Sequence, residues 1–222
     1  MPHLKRQRSS ASPSFEHEMV LQASGCQVVA GIDEAGRGAW AGPVVAAAVI
    51  LRLDAATQRL LQGVNDSKQL TAHQREEYRI VIEHTALAYT VALATQEEID
   101  TQGIVPATRW AMIRATQGLS LQPDALVIDA VKLPDLPMRQ DVFYYADSIS
   151  LSVAAASILA KTARDTLMRQ LDQQVPGYGF ARHKGYGTTQ HQQALRELGV
   201  SAVHRRSYAP IRKLLLAKQE AT

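Results

Sequence analysis

GIDEAGRGAWAGPVVAAAVIL, residues 31–51, joins two apolar runs through a glycine-rich turn. Gln27 to Asp33 reads as a buried strand, and the β-branched run Val44 to Leu53 reads as a second. Together they predict a hairpin whose connection, Gly36 to Pro43, is rich enough in glycine to serve a ligand. Two familiar glycine motifs are excluded. The spacing from Gly31 to Gly38 approaches a phosphate-cradling loop, but Arg37 stands where lysine is needed and Gly38 where a hydroxyl is needed. Gly36, Gly38 and Gly42 are spaced somewhat like a dinucleotide fingerprint, but the chain continues from them as a strand, so no helix dipole faces a phosphate.

Working outward, Thr71 to His84 has helical character, with Thr71 as N-cap and Arg75, Glu76 and Arg79 on an exposed face. Thr85 to Thr95 returns as a strand. Glu97 to Gln117 predicts two helices broken at Gly103 and Pro106, and Ala125–Asp129 and Asp141–Tyr145 are short apolar runs. Ser150 to Leu171 is an alanine-rich helix. After Pro176 come a glycine-rich basic loop, a short helix near Gln190–Leu198 and a polar tail. Strand runs separated by helices predict an α/β fold with a mixed or parallel sheet.

At 222 residues, 46% hydrophobic and 20% charged, the chain suits one domain with a real core, and collagen, coiled coil and wholesale disorder are set aside. Cys26 is the single cysteine, which excludes an internal disulfide and fits a reducing, cytoplasmic compartment. The longest near-apolar run, Ala41–Leu51, is interrupted by Pro43 and is too short for a bilayer, so no membrane role is expected. Lys5, Arg6 and Arg8 among serines read as a flexible basic arm over residues 1–25; Glu16 and Glu18 disfavour a transit peptide. The net charge is only +3, yet eight Lys/Arg face just Glu197 and Glu220 from Tyr178 onward. That asymmetry suits a polyanion partner, and a solvated basic tail would look the same.

Three acids end short apolar runs. Asp33, with Glu34 beside it, closes the first strand; Asp129 follows Leu126-Val127-Ile128; Asp147 follows Phe143-Tyr144-Tyr145-Ala146. Carboxylates beside a core are costly unless compensated, and a hard divalent cation, Mg²⁺ or Mn²⁺, compensates several at once. Taken singly, each acid could instead cap a turn; Asp147 could cap the helix beginning near Ser150.

These residues resemble the ribonuclease HII family, the type 2 ribonucleases H. Residues 31–51 are similar to its opening signature, Asn65-Asp66-Ser67-Lys68-Gln69-Leu70 to its DSK segment, and Val127-Ile128-Asp129-Ala130 to its third-acid strand. Ala146-Asp147-Ser148 through Ser157-Ile158-Leu159-Ala160-Lys161 resembles the fourth acid and its following helix. His183-Lys184-Gly185-Tyr186-Gly187-Thr188 and His204-Arg205-Arg206-Ser207-Tyr208 resemble the junction-sensing loop and the C-terminal signature. The resemblance runs from about Val28 to Tyr208. The chain departs from the pattern at Ala39-Trp40, where a proline-containing pair would follow the glycine turn, and at Ala130, where glycine is frequent.

The resemblance implies a ribonuclease H-like fold: a central mixed five-stranded sheet flanked by helices, with a C-terminal helical extension. It implies an arm over 1–25, a catalytic domain over 26–210 including that extension, and a tail over 211–222. Asp33, Glu34, Asp129 and Asp147 would be the catalytic and metal-binding carboxylates for two Mg²⁺ or Mn²⁺ ions. Such a pair, about 4 Å apart, suits in-line phosphodiester hydrolysis to 5′-phosphate and 3′-hydroxyl ends. No histidine nucleophile is then needed, so His73, His84, His183, His191 and His204 are given structural or phosphate-contacting roles. The substrates implied are RNA/DNA hybrids and duplex DNA with single embedded ribonucleotides, handled by a monomer.

Substrate-binding residues carried over are Gly36, Arg37 and Gly38 as the 2′-hydroxyl sensor, and Tyr186 as a stacking aromatic; the alternatives are a tight hairpin with an exposed arginine and a tyrosine at the core's edge. Ser67 and Lys68 would hold the backbone. Ser157 and Lys161 share a helical stripe with Asp165 and could face the nucleic acid, although Lys161 and Asp165 could simply form an i,i+4 pair. An inactive hybrid-binding module is disfavoured by the four acids, and a resolvase-type nuclease of the same fold would need no ribose sensor.

Overall fold

Helix α1 (Glu16–Ala23) leads into strands β1 (Val29–Ala35) and β2 (Val44–Ile50), followed by α2 (Ala55–Leu60), α3 (Ala72–Thr85) and β3 (Ala88–Ala94). Then come α4 (Gln96–Gln102), α5 (Ile104–Gln117), β4 (Ala125–Asp129) and β5 (Arg139–Phe143). A 3₁₀ turn at Ala146–Ser148 precedes α6 (Leu151–Gln174), α7 (Phe180–His183), α8 (Thr189–Leu198) and α9 (Ala209–Glu220). The computed structural model describes residues 12–220.

The strands form one sheet in the order β3-β2-β1-β4-β5. The expected hairpin is present: β1 and β2 are antiparallel with Asp33 opposite Ala47, and β3 continues the meander against β2. On the other side β4 lies parallel to β1, with Ile32 opposite Ile128, and β5 lies parallel to β4. The mixed five-stranded sheet flanked by helices is therefore as the sequence implied.

Strand β2 is buried on both faces because its side chains alternate between two cores. Ala46 and Ala48 join Ala107, Ala111 and Met112 of α5 on one side, and Ala47 and Val49 join Ala154, Ile158 and Leu159 of α6 on the other. Helix α6 can lie this close because Gly31 has no Cβ; one placed there would sit 2.2 Å from the backbone carbon of Ser152. A third cluster, with Met168, Phe180, Leu195 and Ile211, fastens the C-terminal segment onto the end of α6.

Several sequence expectations change. Thr71 caps α3 as expected, through a capping box with Gln74, but Arg75 is not on an exposed face. It is 13% exposed and donates to the carbonyls of Ser67 and Leu70. Gly103 separates α4 from α5 as read, whereas Pro106 breaks nothing: it sits in the first turn of α5, where backbone N–H groups have no helical acceptor. Ser150, not Asp147, caps α6. The arm assigned to residues 1–25 is already structured at Ser14, which bridges Ser150, and Phe15 and Leu21 are buried. Buried Glu18 accepts from Ser150 Oγ at 2.6 Å and from the Ser152 N–H at 3.1 Å. Lys5, Arg6 and Arg8 lie outside the described residues. The segment read as a polar tail is instead helix α9, with Ile211 buried.

Ala130 explains its own departure from the family pattern. It has φ +55°, the left-handed region, immediately after the strand-ending Asp129. A side chain there costs about 1–2 kcal/mol, partly offset by the roughly 0.5–1 kcal/mol of extra chain entropy that glycine loses on folding. Ala130→Gly is expected to stabilise the protein by about 0.5–1 kcal/mol, read as a rise in the urea midpoint at unchanged slope.

Candidate active site

Because β1 and β4 run parallel and in register, their C-terminal ends deliver Asp33 and Asp129 to the same edge of the sheet. Asp33, Glu34 and Asp129 each present a carboxylate oxygen, all within 4.8 Å of one another. Asp147 stands outside that trio but is close enough for its charge to act on Asp33. Its 3₁₀ turn is tied to β4, since Asp129 Oδ1 accepts from the Ala146 N–H at 2.9 Å.

All four carboxyls are driven toward the protonated form. Asp33 is raised well above the carboxylate range, by burial and then by repulsion from Glu34, Asp129 and Asp147. Burial likewise raises Glu34, against the opposing pull of Arg37, and raises Asp129. Asp147 is pushed up to about 6 by burial and by its neighbours Asp66 and Asp129. A fifth carboxyl, Asp66 of the DSK segment, thus belongs to this cluster; the motif was legible, but its proximity to Asp147 was not.

The donor set is all oxygen, and Glu34 Oε2 is buried with no hydrogen-bond partner. Uncompensated, converging carboxylates with an orphaned oxygen suit a hard divalent cation. The cluster is therefore destabilising without a cation. Asp33→Asn is expected to raise the melting temperature in EDTA while abolishing nuclease activity, and thermal melts beside activity assays check both.

The glycine turn flanks this cluster. Arg37 Nη1 lies 3.2 Å from Glu34 Oε1, so the arginine is neither free nor merely exposed. Gly36 and Gly38 lack a Cβ for different reasons. At Gly36, φ is +95° and a Cβ would fall 1.9 Å from Arg164 Nε, so internal packing requires glycine. Gly38 is exposed, and a Cβ there would meet only Tyr186 Cε1, at an ordinary contact distance of 3.9 Å, so internal packing does not require glycine. The two predicted ribose-sensing elements, 148 residues apart in sequence, are thus brought together. Tyr186 is partly exposed, with the Arg164 guanidinium 5.5 Å from its ring centre.

Ser67 and Ser157 meet: Ser157 Oγ donates to Ser67 Oγ at 2.9 Å, and both are buried. Their hydroxyls fasten the DSK turn to α6, leaving Lys68 mostly exposed, 3.7 Å from Asp66. Burial opposes the charge of Lys68, but Asp66, Asp33, Asp147 and Asp129 together raise its pKa. Lys161 points elsewhere, at 2.5 Å from Asp165, the i,i+4 pair that the sequence left open.

His183, His191 and His204 form a buried cluster on the far side of the Tyr186 loop. Ring hydrogen bonds run from His191 Nδ1 to the Tyr186 carbonyl at 3.0 Å and between the Nε2 atoms of His191 and His204 at 3.0 Å. His204 Nδ1 accepts from the Ser201 N–H and His183 Nδ1 from the Gly185 N–H. These acceptors require neutral rings. Burial lowers His191 and His204 from 6.5 to about 4. Their contribution to stability is full above pH 6.5, where both states are neutral, and is lost as pH falls toward 4, because the unfolded chain takes up protons first. Melting temperature is expected to fall across that window, and the fall should be shallower in His191→Gln.

Residues 30–211 match the family profile described as Ribonuclease HII. The chain belongs to the ribonuclease HII family. It is 51% identical over 209 residues to Ribonuclease HII of Chloroflexus aurantiacus, covering 94% of this chain and 98% of that one. It is 46% identical to that of Geobacillus kaustophilus, over 98% and 81% of the two chains. Among solved structures it resembles ribonuclease H2 from Pyrococcus horikoshii OT3, with TM-score 0.74, 27% identity and coverage of 87% and 100%. It also resembles the RNase HII of a PCNA:RNase HII complex from Archaeoglobus fulgidus, with TM-score 0.67, 25% identity and coverage of 82% and 95%. The chain is accordingly a metal-dependent hydrolytic endonuclease of the ribonuclease H type, acting on RNA/DNA hybrids. Among the described residues no helix is long and apolar enough to cross a membrane.

Proposed function

We propose that this ribonuclease also cuts duplex DNA on the 5′ side of single embedded ribonucleotides, leaving 5′-phosphate and 3′-hydroxyl ends, and that it acts as a cytoplasmic monomer. The observation that carries the reading is the juxtaposition of exposed Gly38 with the exposed Tyr186 ring, on a turn that Arg37 ties to the carboxylate cluster. A glycine backbone and an aromatic face can recognise a sugar and a base plane without reading sequence.

Asp33, Glu34, Asp129 and Asp147 would hold two Mg²⁺ or Mn²⁺ ions. Bound there, the cations supply Lewis acidity at the phosphoryl group and make water a better nucleophile near neutral pH. Arg37, paired with Glu34, fixes the sensor turn relative to the carboxylates. Gly36, Arg37 and Gly38 offer backbone groups to the 2′-hydroxyl, and Tyr186 stacks at the RNA-to-DNA step. Lys68 binds a phosphate of the backbone, held in place by the Ser67–Ser157 bond. Lys161 contributes positive charge at one remove, because Asp165 occupies its ammonium group.

The test is a labelled DNA duplex with one ribonucleotide beside an all-DNA control, in Mg²⁺, Mn²⁺ or EDTA. Metal-dependent cutting 5′ of the ribonucleotide with the control intact is expected. Binding without cutting supports a non-catalytic hybrid-binding module, and cutting of both duplexes removes the ribose-sensing role. Tyr186→Ala is expected to lower cleavage at a single ribonucleotide roughly 10-fold, the scale of one lost stacking contact, and to affect a long hybrid less. Equal losses would make Tyr186 a packing residue.

A further inference from the structure

Two arginines outside the site, Arg164 on α6 and Arg205 before α9, are fully buried. Among the described residues neither has a carboxylate within ion-pairing distance; Asp165, next to Arg164, is engaged by Lys161 and Arg75. A buried cation without an acid costs several kcal/mol unless its donors are otherwise satisfied. Here backbone carbonyls take most of the donors, although Arg205 Nη2 is buried with no hydrogen-bond partner. Arg164 donates to Pro43 O at 3.0 Å, Ala41 O at 3.3 Å and Lys184 O at 3.0 Å. Arg205 donates to Gly42 O at 2.9 Å, and its Nη1 reaches Arg37 O at 2.8 Å and Tyr208 Oη at 2.9 Å. The Tyr208 hydroxyl itself donates to Arg37 O.

The carbonyl acceptors belong to two segments only, the turn over residues 36–43 with Arg37 inside it and the Lys184–Tyr186 loop. A main-chain bond ties the same two segments, from the Trp40 N–H to Gly185 O at 2.8 Å, and another ties Arg205 to the turn, from its N–H to Trp40 O at 2.8 Å. A turn with glycines at 36, 38 and 42 is by itself free to sample many conformations. Recognition of a 2′-hydroxyl needs its hydrogen-bonding groups held to a fraction of an ångström. The planar guanidinium fork can bridge several carbonyls at fixed angles, which an ammonium cannot.

We propose that Arg164 and Arg205 are positioning residues for sugar discrimination, locking the Gly36–Pro43 turn and the Tyr186 loop into one rigid jaw. The inference rests on the ribose-sensing reading above and adds what makes that sensor selective. A continuous hybrid offers a ribose at every register, so a loosened jaw still finds a 2′-hydroxyl. A single embedded ribonucleotide offers one. Loss of the clamp therefore falls on the single-ribonucleotide substrate.

The test measures kcat and KM of the full-length wild type, Arg164→Lys and Arg205→Lys on a continuous RNA/DNA hybrid and on a duplex with one ribonucleotide, with circular dichroism and melting to confirm folding. The lysine variants keep the charge and lose the fork. Expected is a roughly 10- to 100-fold fall in kcat/KM at the single ribonucleotide, carried by kcat, against at most a few-fold fall on the hybrid. Equal falls on both substrates, or none in a folded variant, overturn the clamp. If neither lysine variant folds, Tyr208→Phe decides, since it removes one hydroxyl from Arg37 O without stranding a charge. A several-fold shift in the same substrate ratio supports the clamp, and an unchanged ratio overturns it. Wild-type protein that cuts the hybrid but not the single ribonucleotide overturns the ribose reading itself, and the clamp with it.

Discussion

Mutual repulsion among carboxylates held at one edge of the sheet is the constraint around which the rest of the molecule is arranged. Burial and neighbouring negative charge both raise Asp33, and no cation of the chain pairs with it directly among the described residues. Such an arrangement is unfavourable for the empty fold and persists only because parallel pairing of β1 with β4 brings Asp33 and Asp129 together. The stability for it comes from the two apolar layers that enclose β1 and β2 on either face. Cost at the site and packing beneath it are two parts of one design, as is common where a protein keeps a strained or charged centre for chemistry.

Chemistry and recognition are built on different supports. The carboxylates sit on strand ends and a short turn anchored to α6, elements packed on regular secondary structure. The groups proposed to sense the sugar sit on loops, whose order has to be supplied from below. Arg164, Arg205 and the histidine cluster supply it by directing side-chain donors and acceptors at main-chain groups of those loops. Trp40 belongs to the same arrangement: its ring covers Gly187, where a Cβ would lie 2.1 Å from it, so the unusual Ala39-Trp40 pair acts as a lid on the loop opposite.

Much of this was legible in the sequence because the signals are local. Apolar and β-branched runs on either side of a glycine-rich turn located the hairpin, Thr71 announced the start of α3, and apolar runs ending in acids marked Asp33 and Asp129. Other readings failed for an equally physical reason. Arg75 looked like a surface residue because helical spacing cannot say which face a neighbouring loop will cover. The last twelve helical residues looked like a tail because little in their local pattern marks which apolar position, Ile211, will be buried. Pro106 looked like a break because sequence alone did not place it in a first turn.

The sequence by itself determined the four acids, the glycine turn, the tyrosine loop and the order of the five strands and of helices α3 to α6 and α8, since each is written in a short contiguous stretch. Only the tertiary structure decided that Gly38 faces Tyr186, that Asp66 joins Asp147, that Ser67 bonds Ser157, and that two buried arginines bind the carbonyls of the glycine turn and of Lys184. Those contacts join residues far apart along the chain. Their partners are chosen by chain topology and close packing, and neither periodicity nor composition encodes which distant carbonyl a buried donor will meet.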